Sequence, residues 1–145
     1  MHLADLQGKY VVVSMVYMKC KFACPLTVAR MKDVEKALPD KIKSKVHFLL
    51  VTFDIKRDSP EVMAAYATKN HLDPAQWKFL TTKTESQVRE FSTLIDFKYK
   101  NLENGEFEHS YAMIALDPEG RILGRTDGAN MDPKVIVDLI TNKAK

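Results

Sequence analysis

Two nearly unbroken apolar runs set the pattern of the first part of the chain. The first lies within Lys9–Tyr17 (KYVVVSMVY) and is interrupted only by Ser14; the second is Val46–Phe53 (VHFLLVTF), after which Asp54 marks a change to polar sequence. Runs this short, rich in β-branched and aromatic residues and without polar alternation, predict strands buried on both faces, as parallel strands are. Between them the spacing changes to threes and fours at Leu26, Val28, Ala29, Val34 and Leu38. Pro25 suits the first position of that helix and Pro39 stops it.

Farther along, Ser59-Pro60-Glu61 predicts a second helix, with Ser59 as cap and Pro60 at the first helical position, ending near Asn70. Trp77–Leu80 reads as a short strand and Thr84–Ile95 as a helix with Val88, Phe91, Leu94 and Ile95 on one face. Phe97–Leu102 and Phe107–His109 flank Asn104-Gly105, the strongest hairpin signal in the chain. Tyr111–Leu116 is another apolar strand, Asp117–Gly120 a turn, Arg121–Arg125 a strand and Asp132–Ile140 a last helix. Helical crossovers make the early strands parallel, and the turn at Asp117 makes the last two antiparallel. The expectation is an α/β protein with a thioredoxin-like fold: a mixed central sheet, helices on both faces and an inserted hairpin. The loop between the first strand and first helix then lies at the carboxyl end of a strand, where α/β proteins place their sites. That loop holds Cys20 and Cys24.

Composition agrees with one folded unit over residues 1–145. The chain is 46% hydrophobic and 28% charged, close to the average for globular domains, and its length is enough for one core. The net charge of +3 is small and scattered, which excludes the basic footprint of a nucleic-acid or anionic-membrane binder. The apolar run Tyr10–Met18 is far short of the ~20 residues needed to span a bilayer, so no membrane segment is expected. Residues 1–9 carry Asp5, Gln7 and Lys9 where the apolar region of a signal peptide would begin. The chain therefore reads as cytoplasmic, or as a mature domain freed of its targeting segment.

Cys20-Lys21-Phe22-Ala23-Cys24 is a C-x-x-x-C pair. Residues four apart on a helical or tightly turned backbone project to one side, so two thiols can converge on one metal; the same spacing permits a disulfide, and both readings stay open. Lys19, Lys21 and the positive end of the following helix favour thiolate, the form that binds metal or attacks a disulfide. Two sulfurs without a second pair are not the structural zinc pattern, so a third ligand is sought among the histidines. His2 lies in the terminus, His47 inside a strand, and His71 near a helix C-terminus, where a capping role suits it. His109, just ahead of the strand Tyr111–Leu116, is the candidate expected to face the cysteine loop.

The runs GKYVVVSMVYMKCKFACP, VTFDIKRDSPEVMAAYA, WKFLT and FEHSYAMIALDPEGRI, in that order, resemble the Sco/SenC family of copper-binding, thioredoxin-like cytochrome c oxidase assembly proteins along nearly the whole chain. The C-x-x-x-C followed by proline, the aspartates Asp54 and Asp58, and the histidine after the hairpin carry the resemblance. It implies that Cys20, Cys24 and His109 are copper ligands and that Asp54 and Asp58 form an acidic pair near them, ordering the loop or supporting the ligands rather than binding metal. It implies a copper metallochaperone serving the copper-site subunit of cytochrome c oxidase or another copper chaperone, in the periplasm or otherwise outside the cytoplasm, membrane-anchored in its full-length form. Family members usually carry an anchor and a leading β-hairpin; this sequence begins Met1-His2-Leu3.

The donor set suits that cargo, since two thiolates and an imidazole favour Cu(I), while the imidazole and a further oxygen accommodate Cu(II). A thiol-disulfide oxidoreductase is the alternative, in which one cysteine attacks a partner's disulfide and the other resolves the mixed intermediate. A peroxidase has less support: Tyr17, Met18 and Lys19 precede Cys20, where a peroxiredoxin-like pattern places threonine and proline. The aspartates also have plainer readings, Asp58 pairing locally with Arg57 or Lys56 and Asp54 ending a strand.

Overall fold

The two apolar runs lie side by side in a computed structural model that describes residues 6–19, 23–102, 107–128 and 131–144. Strand β1 (Tyr10–Val16) pairs in parallel with β2 (Val46–Thr52), in register from Tyr10↔Val46 to Val16↔Thr52. β3 (Trp77–Leu80) extends the parallel part beyond β2. On the other side of β1, β6 (Ala112–Leu116) runs antiparallel to it, and β7 (Ile122–Asp127) runs antiparallel to β6, giving the order β3-β2-β1-β6-β7. Every residue of β1 is buried, as a central strand covered on both faces requires. Its one polar residue, Ser14, donates from Oγ to the Ala112 carbonyl at 2.6 Å, so no hydroxyl is buried unpaired there.

The helices divide between the two faces. Phe48 of β2 stacks on Trp77 of β3 with ring centres 4.8 Å apart, and the Trp77 indole N–H donates to Glu35 at 2.9 Å, which places helix α1 (Ala23–Ala37) on that face. Tyr66 of α3 (Pro60–Lys69) meets Phe79 edge-on on the same side. Helix α5 (Pro133–Ala144) packs closely enough on β7 that a methyl group at Gly124 would come within 2.7 Å of Leu139 Cδ1. The opposite face is covered by α4 (Glu85–Leu94), whose Phe91 and Leu94 border a groove with Val11, Leu49 and Leu116. The mixed sheet with helices on both faces is as expected.

Local signals place the helix ends. Ser59 Oγ accepts the Val62 N–H at 3.2 Å with Pro60 as first residue, and Thr84 and Gln87 cap α4 reciprocally; such caps are worth about 1 kcal/mol each. Several details differ from expectation: α5 runs on to Ala144 rather than ending at Ile140, and β7 to Asp127 rather than Arg125. α1 starts at Ala23, two residues before Pro25. A short helix α2 (Asp40–Lys43) follows Pro39, whose carbonyl accepts the N–H of both Ile42 and Lys43; four residues are too few to show a periodicity. At the end of α3, Asn70 rather than His71 caps the helix, its side-chain amide donating to the Tyr66 carbonyl at 2.9 Å, while His71 takes up the left-handed turn at φ +57°.

The hairpin forms apart from the main sheet. β4 (Tyr99–Asn101) and β5 (Phe107–His109) make a two-stranded antiparallel sheet in register Tyr99↔His109. Its turn, Asn104-Gly105, lies outside the described residues.

Candidate metal centre

The site grows from the carboxyl ends of β1 and β2. The Phe53 N–H donates to the Val16 carbonyl at 3.1 Å and carries the strand pairing past the end of β2. The chain then turns: the Asp54 carbonyl accepts the N–H of Arg57 at 3.2 Å and of Asp58 at 2.9 Å, which folds Asp58 back towards β1. There Asp58 Oδ2 accepts the backbone N–H of Met18 at 3.0 Å and the hydroxyl of Thr52 at 2.6 Å. Thr52 Oγ1 in turn accepts the Asp54 N–H at 3.0 Å. Asp58 is only 1% exposed, and its second oxygen, Oδ1, has no hydrogen-bond partner among the described residues. Burial pushes its carboxyl above its ordinary pKa, against the pull of the bonds from Thr52 and Met18.

Asp54, also buried, takes the Arg57 guanidinium on Oδ2 at 2.5 Å. The local pairing expected for Asp58 therefore belongs to Asp54, because the turn aims Asp58 at the β1 backbone and leaves Arg57 beside Asp54. The two aspartates are neighbours with different work: one holds the strand that leads to Cys20, the other anchors the turn.

Cys20 lies outside the described residues, and Cys24 is placed by its backbone alone, as the second residue of α1. His109 is half-buried at the end of β5. Its ring meets Tyr17 edge-on, centres 5.9 Å apart at 87°, and lies 5.2 Å from Phe53, 6.1 Å from Phe97 and 5.4 Å from Tyr111. Tyr17 stands on the segment that runs from β1 to Cys20, so this contact brings the histidine alongside the chain that carries the cysteines. His109 Nδ1 is 2.7 Å from the Ser110 carbonyl. A carbonyl only accepts, so Nδ1 bears the proton and Nε2 keeps the lone pair a metal would use. Ser110 is fixed in turn: its N–H donates to the Lys98 carbonyl at 2.8 Å and its Oγ accepts the Lys98 N–H at 3.2 Å.

The structure thus brings Asp54, Asp58 and His109 to the end of the sheet from which the cysteine loop departs. The residues that organise them, Tyr17, Thr52, Phe53 and Tyr111, had no signal of their own, because an aromatic or threonine in an apolar run reads as core. His47, half-buried in β2 with its pKa lowered by burial, is paired in register with Val11 near the start of β1, away from this end.

A family model described as SCO1/SenC matches residues 1–145. The SCO1 protein homolog of Bacillus subtilis is 26% identical over 134 residues, which is 90% of this chain and 68% of that protein. A SCO1/SenC family lipoprotein from Bacillus anthracis is similar in structure, with 25% identity and a TM-score of 0.87 over 98% of this chain and 85% of that one. Yeast Sco1, solved with copper bound, is 25% identical, with a TM-score of 0.75 over 97% of this chain and 78% of that one. No helix among the described residues is long and apolar enough to cross a membrane.

Proposed function

Because the chain belongs to the SCO1/SenC family, we propose that it is a copper metallochaperone that holds one copper ion through the thiolates of Cys20 and Cys24 and the Nε2 of His109. It would pass that ion to the copper-site subunit of a cytochrome c oxidase or exchange it with another copper chaperone. The observation that carries this reading is the state of His109: its Nδ1 proton is engaged by the Ser110 carbonyl at 2.7 Å, and its ring packs on Tyr17, three positions ahead of Cys20. A histidine fixed in one tautomer, with Nε2 free to bind, is what the nitrogen ligand of a Cu site of two sulfurs and one nitrogen requires. The copper-bound state of yeast Sco1 supports the cargo. The lipoprotein nature of the Bacillus anthracis relative supports a membrane-anchored, extracytoplasmic full-length protein.

Asp58 contributes by holding the Met18 N–H, which fixes the direction in which the chain leaves β1 for Cys20. Asp54 contributes through its ion pair with Arg57 in the turn that presents Asp58.

A thiol-disulfide oxidoreductase is the second reading. It is favoured by the backbone position of Cys24 in the first turn of α1, where the partial positive charge of a helix N-terminus stabilises a thiolate. The two readings are linked, since oxidation to a disulfide removes both thiolate ligands and releases metal. Copper stoichiometry of the reduced and the disulfide-oxidised protein, measured anaerobically, tests the proposal. One tightly bound copper in the reduced form and none in the oxidised form is the expected result. A reduced protein that holds no copper while its cysteines equilibrate readily with a thiol redox buffer would overturn the metallochaperone reading in favour of the oxidoreductase.

A further inference from the structure

His109 is enclosed more tightly than a ligand needs merely to be present. The plane of Phe97 is within 16° of its own, Tyr17 stands at 87° to it, and Phe53 and Tyr111 meet it at intermediate tilts. Rotation of the imidazole about its Cβ–Cγ bond turns it into these rings and breaks the Nδ1–H bond to Ser110. Each aromatic contact adds to the packing that resists this rotation, so together they hold the direction of the Nε2 lone pair. Phe53 and Phe97 also belong to the buried core, with Phe53 fully enclosed. The tyrosines are placed differently: Tyr17 is at the start of the cysteine-bearing segment, and Tyr111, 37% exposed, is on the solvent side.

We propose that Tyr17 and Tyr111 are positioning residues that aim His109 Nε2 for Cu(II) and thereby set the preference of the site between the two oxidation states of copper. The inference rests on the copper reading above. Two thiolates satisfy much of what Cu(I) requires, whereas Cu(II) depends on nitrogen and oxygen donors in a directed, tetragonal arrangement. Loosening the imidazole therefore costs Cu(II) more than Cu(I).

The experiment measures Cu(I) and Cu(II) affinities by chelator competition for the wild type, Tyr17→Phe, Tyr17→Leu and Tyr111→Ala, with thermal unfolding as the folding check. Tyr111→Ala removes a partly exposed ring and provides the test even if Tyr17→Leu does not fold. In Tyr111→Ala and Tyr17→Leu the ratio of Cu(II) to Cu(I) affinity falls about tenfold, within the range for residues that orient a metal-binding histidine. That change raises the copper potential by about 59 mV. Tyr17→Phe, which keeps the ring, retains the wild-type ratio. In the metal-free protein, the long-range 15N–1H spectrum of His109 shows one Nδ1–H tautomer in wild type and a mixture in Tyr111→Ala. An unchanged affinity ratio in Tyr111→Ala overturns the proposal and leaves the copper reading standing, as does a Tyr17→Phe that behaves like Tyr17→Leu. A wild type that binds neither ion overturns both.

Discussion

Met18 donates its backbone N–H to the Oδ2 of Asp58 across 3.0 Å, though the two residues are 40 apart in sequence. The bond ties the last turn of chain before Cys20 to a carboxylate that is itself held by Thr52. Asp58→Ala would leave both the Met18 N–H and the Thr52 hydroxyl without their acceptor in a buried place. The expected loss of stability is about 2–3 kcal/mol, because each orphaned buried donor costs about 1–3 kcal/mol. Urea unfolding measures it. A loss below about 0.5 kcal/mol, the size usual for a surface change, would contradict the structural role given to this carboxylate.

Asp58 also gives stability a pH dependence. Its folded pKa is raised above the ordinary value of 3.8, chiefly by burial. The native state therefore keeps this proton at pH values where the unfolded chain has released it. The contribution is fully present below the unfolded pKa and is lost as pH rises through the raised folded value. Asp58→Asn cannot titrate, so the stability of wild type relative to this variant should decline as pH rises from the ordinary carboxylate range through the raised folded value. Urea midpoints for the two proteins across that range provide the check; a difference that stays flat or grows with pH would have the wrong sign.

Asp54 differs from Asp58 in facing an arginine. Asp54→Ala loosens the turn that carries Asp58 and should weaken copper retention only modestly, well below the effect of His109→Ala. Competition with a chelator ranks the two. Equal losses would make Asp54 a ligand and contradict its assignment to the turn.

Copper binding and thiol exchange should separate at the histidine. Cys24→Ser is expected to abolish both, while His109→Ala should impair copper binding and leave the rate of exchange with a small disulfide near that of wild type. Parallel loss of both activities in His109→Ala would mean that the imidazole serves the cysteines rather than the metal.

Much of this arrangement was legible in the residues. Val11–Val13 and Leu49–Val51 could only be strands covered on both faces, and Ser59-Pro60 marked the start of α3 within a residue. His109 stood out by its position just ahead of the strand Tyr111–Leu116, although it ends the second strand of the hairpin rather than following it. The partners of the aspartates were not legible, because Arg57 is three residues from Asp54 and adjacent to Asp58, and only the turn closed on the Asp54 carbonyl decides between them. Tyr17 and Phe53 were hidden for a different reason. Both are deeply buried, so their apolar context accounts for them completely, and their contact with His109 depends on where a separate two-stranded sheet docks.

Whether His109 holds the metal is read from an anaerobic titration with Cu(I) in competition with a chelator of known affinity. The reduced wild type should retain one copper ion tightly, and His109→Ala should release it at least about tenfold more readily while unfolding at a similar temperature. Identical retention by the two proteins would contradict the assignment of His109, and no retention by either would contradict copper delivery itself.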